Sequence, residues 1–164
     1  MKTCLSKYKI AYLPLVVSCI WLLACKSVSP SMAGVERTEA IPILMFQKTP
    51  CYGTCPAYNA TFYSNGKVYY EGLRYAPLQD TATFYLSGQQ LHTLQKQLKD
   101  LKYTSLDDSY LSPYTDLPSS YFTFYQNGME AKRVKHQRGG PDALQQFVTY
   151  LEGEVARLAT EKNR

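Results

Sequence analysis

Apolar residues along this 164-residue chain recur at every second position in five stretches and at every third or fourth in two, which predicts strands and helices respectively. Residues 41–46, Ile-Pro-Ile-Leu-Met-Phe, form a short apolar run suited to a buried strand, with Pro42 at its edge. Residues 58–64 and 67–73 flank Asn65-Gly66, and 119–126 and 129–135 flank Asn127-Gly128. An Asn-Gly pair between alternating segments predicts a hairpin with a two-residue type I′ turn, because both turn positions need φ > 0. Residues 81–86 alternate in the same way. Ser87 and Gln90 then form the capping box of a helix, with Leu91, Leu94, Leu98 and Leu101 on one face. Gly139-Gly140-Pro141 opens a closing helix striped by Leu144, Phe147, Val148, Leu151, Val155 and Leu158.

The fold class is therefore α+β: an antiparallel sheet built from hairpins, with two amphipathic helices packed on one face. Thr61-Phe62-Tyr63-Ser64-Asn65-Gly66 returns 62 residues later as Thr123-Phe124-Tyr125-Gln126-Asn127-Gly128. Duplication of a ββα unit explains that return, and so do the shared residue preferences of hairpins. Two-residue loops place Phe62 opposite Tyr69 and Tyr63 opposite Val68, and Phe124 opposite Ala131 and Tyr125 opposite Glu130. The expected core face then holds Phe122, Phe124, Met129 and Ala131. The other face holds Thr61, Tyr63, Tyr70, Tyr121, Thr123 and Tyr125. With 15 tyrosines in the chain, such an aromatic face suits a sugar or an extended peptide.

Ahead of this domain, Lys2, Lys7 and Lys9 precede an uncharged apolar run from Ile10 to Ala24. That run is shorter than the roughly 20 residues a membrane span needs, and Pro14 interrupts it. It predicts an export signal. Its end, Leu22-Leu23-Ala24-Cys25, resembles the lipobox of bacterial lipoproteins, which implies cleavage before Cys25 and a diacylglyceryl thioether on that residue. Cys19 is a weaker candidate, because cleavage there would leave an apolar stub. The expected organisation is a signal at 1–24, a lipidated cysteine and Ser/Pro/Gly-containing tether at 25–40, and a single domain at 41–160. The formal charge falls from +5 to +2 when the three signal lysines leave, so no nucleic-acid partner is indicated. By the same resemblance, Lys26-Ser27 lacks the Asp that in enterobacterial lipoproteins favours inner-membrane retention and lacks the acidic run associated with surface export in Bacteroidetes, which implies the periplasmic face of the outer membrane.

Chemistry concentrates in Cys51 and Cys55, spaced CxxxC about Gly53. Outside the cytoplasm this spacing predicts a disulfide closing a very short loop. The alternative is a thiol-redox or copper-handling pair. Cys-xxx-Cys-Pro is similar to the motif of Sco-type copper chaperones, although there it opens a helix and here a strand follows. Zinc lacks ligands, since only His92 and His136 remain. Asp107, Asp108 and Asp116 crowd one loop, where a turn role competes with a cation or binding role. No nucleophile elbow, His-Glu metal motif or phosphate loop is present, so no enzyme class and no cofactor is indicated.

Thr49-Pro50-Cys51-Tyr52-Gly53-Thr54-Cys55-Pro56-Ala57-Tyr58, Asn65-Gly66-Lys67-Val68-Tyr69-Tyr70-Glu71-Gly72 and Tyr114-Thr115-Asp116-Leu117-Pro118 together resemble the pattern of the bacterial domain of unknown function 6438. The resemblance implies exported lipoprotein company, mostly in Bacteroidetes, and supplies no catalytic residues. The functional expectation is a membrane-anchored binding or structural module. It would meet an unknown protein or glycan through Tyr63, Tyr70, Tyr121 and Tyr125 or the Asp116 loop.

Overall fold

A computed structural model describes residues 40–114 and 116–162. The signal, Cys25 and the tether as far as residue 39 lie outside the described residues. Seven strands form one sheet: β1 (Pro42–Lys48), β2 (Tyr58–Tyr63), β3 (Lys67–Gly72), β4 (Thr81–Tyr85), β5 (Ser109–Tyr110), β6 (Ser120–Gln126) and β7 (Met129–His136). Their spatial order is β4-β3-β2-β1-β6-β7-β5, antiparallel throughout except where β5 runs parallel to β7. Two helices, α1 (Gly88–Leu101) and α2 (Asp142–Lys162), share a core with one face of the sheet. This is the expected α+β architecture. The two-residue strand β5 carries no alternation and went unpredicted.

The core follows from strand parity. Leu44 and Phe46 of β1, Ala60 and Phe62 of β2, Val68 and Tyr70 of β3 and Phe122 and Phe124 of β6 are almost wholly buried, while their neighbours in sequence face the other way. Leu94 and Leu101 of α1, and Leu144, Phe147, Leu151, Val155 and Leu158 of α2, close over them. Phe122 contacts the ring of Phe46 at 5.2 Å and that of Phe147 at 5.9 Å, joining sheet to helix. Each such side chain contributes about 1.5–3 kcal/mol by leaving water. The capping box of α1 is formed, with Ser87 Oγ accepting from Gln90 N–H and Gln90 Oε1 accepting from Ser87 N–H.

The two copies of the Thr-Phe-Tyr repeat flank β1 at the same level. Leu44 lies between Phe62 and Phe124, and Met45 between Thr61 and Thr123. Their turns differ. Asn127 and Gly128 both have positive φ, 52° and 78°, as a type I′ turn requires. In the first hairpin only Gly66 does, at 81°, and Ser64-Asn65-Gly66 is a three-residue loop in which Asn65 Oδ1 accepts from Lys67 N–H at 3.1 Å.

That additional loop residue slides the register by one. Phe62 pairs with Val68 and Thr61 with Tyr69, not Phe62 with Tyr69 or Tyr63 with Val68. A one-residue slip turns every side chain over, so Tyr70 belongs to the core and Tyr69 to the open face. In the second hairpin Tyr125 does pair with Glu130, but a bulge follows and Phe124 meets Lys132 instead of Ala131. Ala131 is left unpaired and exposed, and Met129, at the hairpin tip, is 71% exposed, so neither joins the core.

Candidate binding face

Both helices cover one side of the sheet, and the other side carries an ordered polar row. Register places Glu71 of β3 beside Asn59 of β2, Asn59 beside Gln47 of β1, Gln47 beside Tyr121 of β6, and Tyr121 beside Lys135 of β7. Arg133, two residues before Lys135 on β7 and so on the same face, reaches across and donates from Nη2 to Gln47 Oε1 at 3.2 Å. Gln47 Nε2 donates to Asn59 Oδ1 at 3.0 Å, and Asn59 Nδ2 to Glu71 Oε2 at 3.2 Å. A carboxylate only accepts and a guanidinium only donates, so the two ends dictate both amide orientations. Every donor points from β7 toward β3, an arrangement in which successive bonds polarise one another.

The row has an acidic end and a basic end. Four strand spacings separate them, about 19 Å. At the basic end the Arg133 guanidinium lies 5.0 Å from the centre of the Tyr121 ring and the Lys135 ammonium 5.8 Å from it. Neither cation has a carboxylate partner among the described residues, whereas neighbouring Lys132 pairs with Asp108 at 2.9 Å. Tyr121, Arg133 and Lys135, with Lys132, Asp108 and Thr104, line an open depression of about 580 Å³ beside β7.

Three of the four tyrosines expected here lie on this side: Tyr121 at the basic end, Tyr63 with the Lys67 ammonium 5.2 Å from its ring centre, and half-buried Tyr125. Tyr70 does not, for it is fully buried and donates to the Leu78 carbonyl at 3.1 Å. Burial raises its phenol pKa, and the Leu78 bond pulls the other way. Burial also pushes up the phenols of Tyr58, with Glu152 and Tyr70 adding to it, and of Tyr150, to about 12, with Glu154 adding and Arg157 opposing. Burial dominates all three shifts, and these phenols mark the packed side of the molecule, not the open face.

Cys51 and Cys55 are joined, with Sγ–Sγ 1.99 Å and Cα–Cα 5.5 Å. Their loop projects from the end of the sheet, Tyr52 is 98% exposed at its tip, and Gly53 N–H donates to Cys51 Sγ at 3.3 Å. Asp116 lies exposed in the loop before β6, and Thr49 bonds that loop to the cysteine loop through Ser119. The three loop aspartates do not converge. Among the described residues no three His, Cys, Asp or Glu side chains stand together as a metal site.

The model of the domain of unknown function DUF6438 matches residues 42–155, from β1 into α2. This chain belongs to the DUF6438 family. Among curated proteins none matches it. The matched span of this DUF6438 domain includes all seven strands, and with them the whole polar row. Two of the segments that carry the sequence resemblance, at the cysteine loop and before β6, meet at one end of the sheet through Thr49 and Ser119. Gln47, Asn59, Glu71, Arg133 and Lys135 were not singled out from the sequence. Their signal is polar residues at alternate positions of four strands, which becomes a row only once the registers are known.

Proposed function

We propose that this DUF6438 domain is a binding module held at a membrane surface by a lipid on Cys25, and that its open sheet face grips a protein or glycan partner in the cell envelope. The observation that carries this reading is the row from Arg133 through Gln47 and Asn59 to Glu71, an ordered and polarised network on the side that neither described helix covers. A face with no role needs no such order. Solvated strand residues are more often independent, and exposed pairs contribute little to stability.

Site-specific photocrosslinking in native envelopes tests the face. A photoreactive residue at Tyr121 or Tyr125 should trap a discrete partner, and one at Gln89 or Lys96 on α1 should not. Equal trapping from both sides, or none from the sheet, would overturn the reading. The anchor is tested separately with labelled fatty acid, which should enter the wild type and Cys19→Ser but not Cys25→Ser. Orientation toward the periplasm from the outer membrane predicts resistance to protease shaving of intact cells and sedimentation with outer-membrane markers.

A further inference from the structure

The two edges of this sheet are finished differently. Along β7 the edge is guarded: β5 pairs with its end, a bulge at Ala131 breaks its regularity, and Lys132, Arg133 and Lys135 put charge on it. These are the devices that stop strands adding to an edge. β4, at the other edge, has none of them. Thr81-Ala82-Thr83-Phe84-Tyr85 carries no charge and no proline, its register with β3 is unbroken, and no described strand pairs with its outer side.

The direction of its backbone groups follows from two bonds. Gly72 N–H donates to Asp80 C=O and Leu86 N–H to Gly66 C=O, both at 2.9 Å, so even-numbered residues of β4 bond to β3. Thr81, Thr83 and Tyr85 therefore turn their N–H and C=O groups outward. Their side chains are exposed as well, Tyr85 by 73%.

We propose that β4 pairs antiparallel with β4 of a second copy about a two-fold axis at Thr83, joining two seven-stranded sheets into one. The strand is complementary to itself. Thr83 meets Thr83 of the second copy, Thr81 meets Tyr85, and Ala82 meets Phe84. The six outward residues of the two copies exchange six main-chain hydrogen bonds. The aromatic and β-branched pairing is the favourable kind, and no like charges meet at the axis. A strand without charge offers nothing to select an acidic or basic partner, whereas its own copy fits in register. One strand pair is a small interface, at or below the low end of stable ones, so the dimer is weak in dilute solution and strengthens with local concentration. The joined sheet brings the Glu71 ends of the two open faces toward the axis and leaves the Arg133 ends outermost.

Cysteine scanning of the full chain in detergent, at high protein concentration under oxidation, reads the axis directly, scored against the parent without the added cysteine. Thr83→Cys should crosslink to itself, because a hydrogen-bonded pair has Cα atoms about 5.5 Å apart, within disulfide reach. Thr81→Cys should not, since its copies lie about 13 Å apart, but it should crosslink with Tyr85→Cys when the two chains are mixed. Thr83→Lys should keep the thermal transition and lose the dimer in sedimentation velocity. Equal crosslinking at positions 81 and 83, no crosslinking at 83, or a dimer that survives Thr83→Lys would each overturn the proposal. None of these outcomes bears on the open face, which photocrosslinking reads independently.

Discussion

At the scale of single residues the tyrosines divide by what their hydroxyls meet. Tyr70 is buried and its hydroxyl donates to Leu78 C=O. Tyr70→Phe should therefore cost about 1 kcal/mol in urea unfolding, by removing that bond and stranding the carbonyl. Tyr63→Phe, on the open face, should change stability by no more than about 0.5 kcal/mol. The raised phenol pKa values carry a second consequence. Tyr58 and Tyr150 hold their protons in the folded chain above the ordinary value of 10, so the unfolded chain releases those protons first as pH rises. The stability they contribute is complete below pH 10 and is lost as pH climbs toward the folded values. Urea midpoints should accordingly fall between about pH 10 and 12, and Tyr58→Phe should flatten the fall.

At the scale of elements, the disulfide staples the connection between β1 and β2 across a five-residue loop. Loop-closure entropy for so short a ring is about 2 kcal/mol, so reduction should lower the melting temperature by several degrees without unfolding the domain at room temperature. Differential scanning calorimetry with and without reductant checks this, and Cys51→Ala/Cys55→Ala should reproduce the reduced value. Element identity was legible in the sequence because it rests on local signals: the capping box at Ser87 and Gln90, the leucine stripe of α1, and Asn-Gly between alternating runs. Register was not. Asn65-Gly66 and Asn127-Gly128 are the same dipeptide, yet one sits in a three-residue loop and the other in a two-residue turn, and nothing within either pair distinguishes them. That difference of one residue moved Tyr70 from the expected binding face into the core. The bulge at Ala131 similarly moved Ala131 out of it.

At the scale of the whole molecule, covering only one side of the sheet separates stability from recognition. Every large residue of the core sits between the helices and the sheet, so the far side is free to carry groups that contribute little to folding. Arg133 and Lys135 are the sharpest case, for they are unpaired with any described carboxylate and touch the rest of the molecule through Tyr121 and Gln47. Arg133→Gln/Lys135→Gln should cost under about 1 kcal/mol of stability, the size of an exposed cation–aromatic contact. If the basic end receives an anionic group of the partner, the same double substitution should abolish crosslinking from a photoreactive residue at Tyr125. Wild-type crosslinking should in turn weaken as salt rises, because contacts between exposed charges are screened within about 8 Å at physiological ionic strength. Crosslinking that is indifferent both to salt and to the double substitution would place recognition elsewhere on the face, nearer Tyr63 and Glu71. A large loss of stability would instead assign the two cations to the fold.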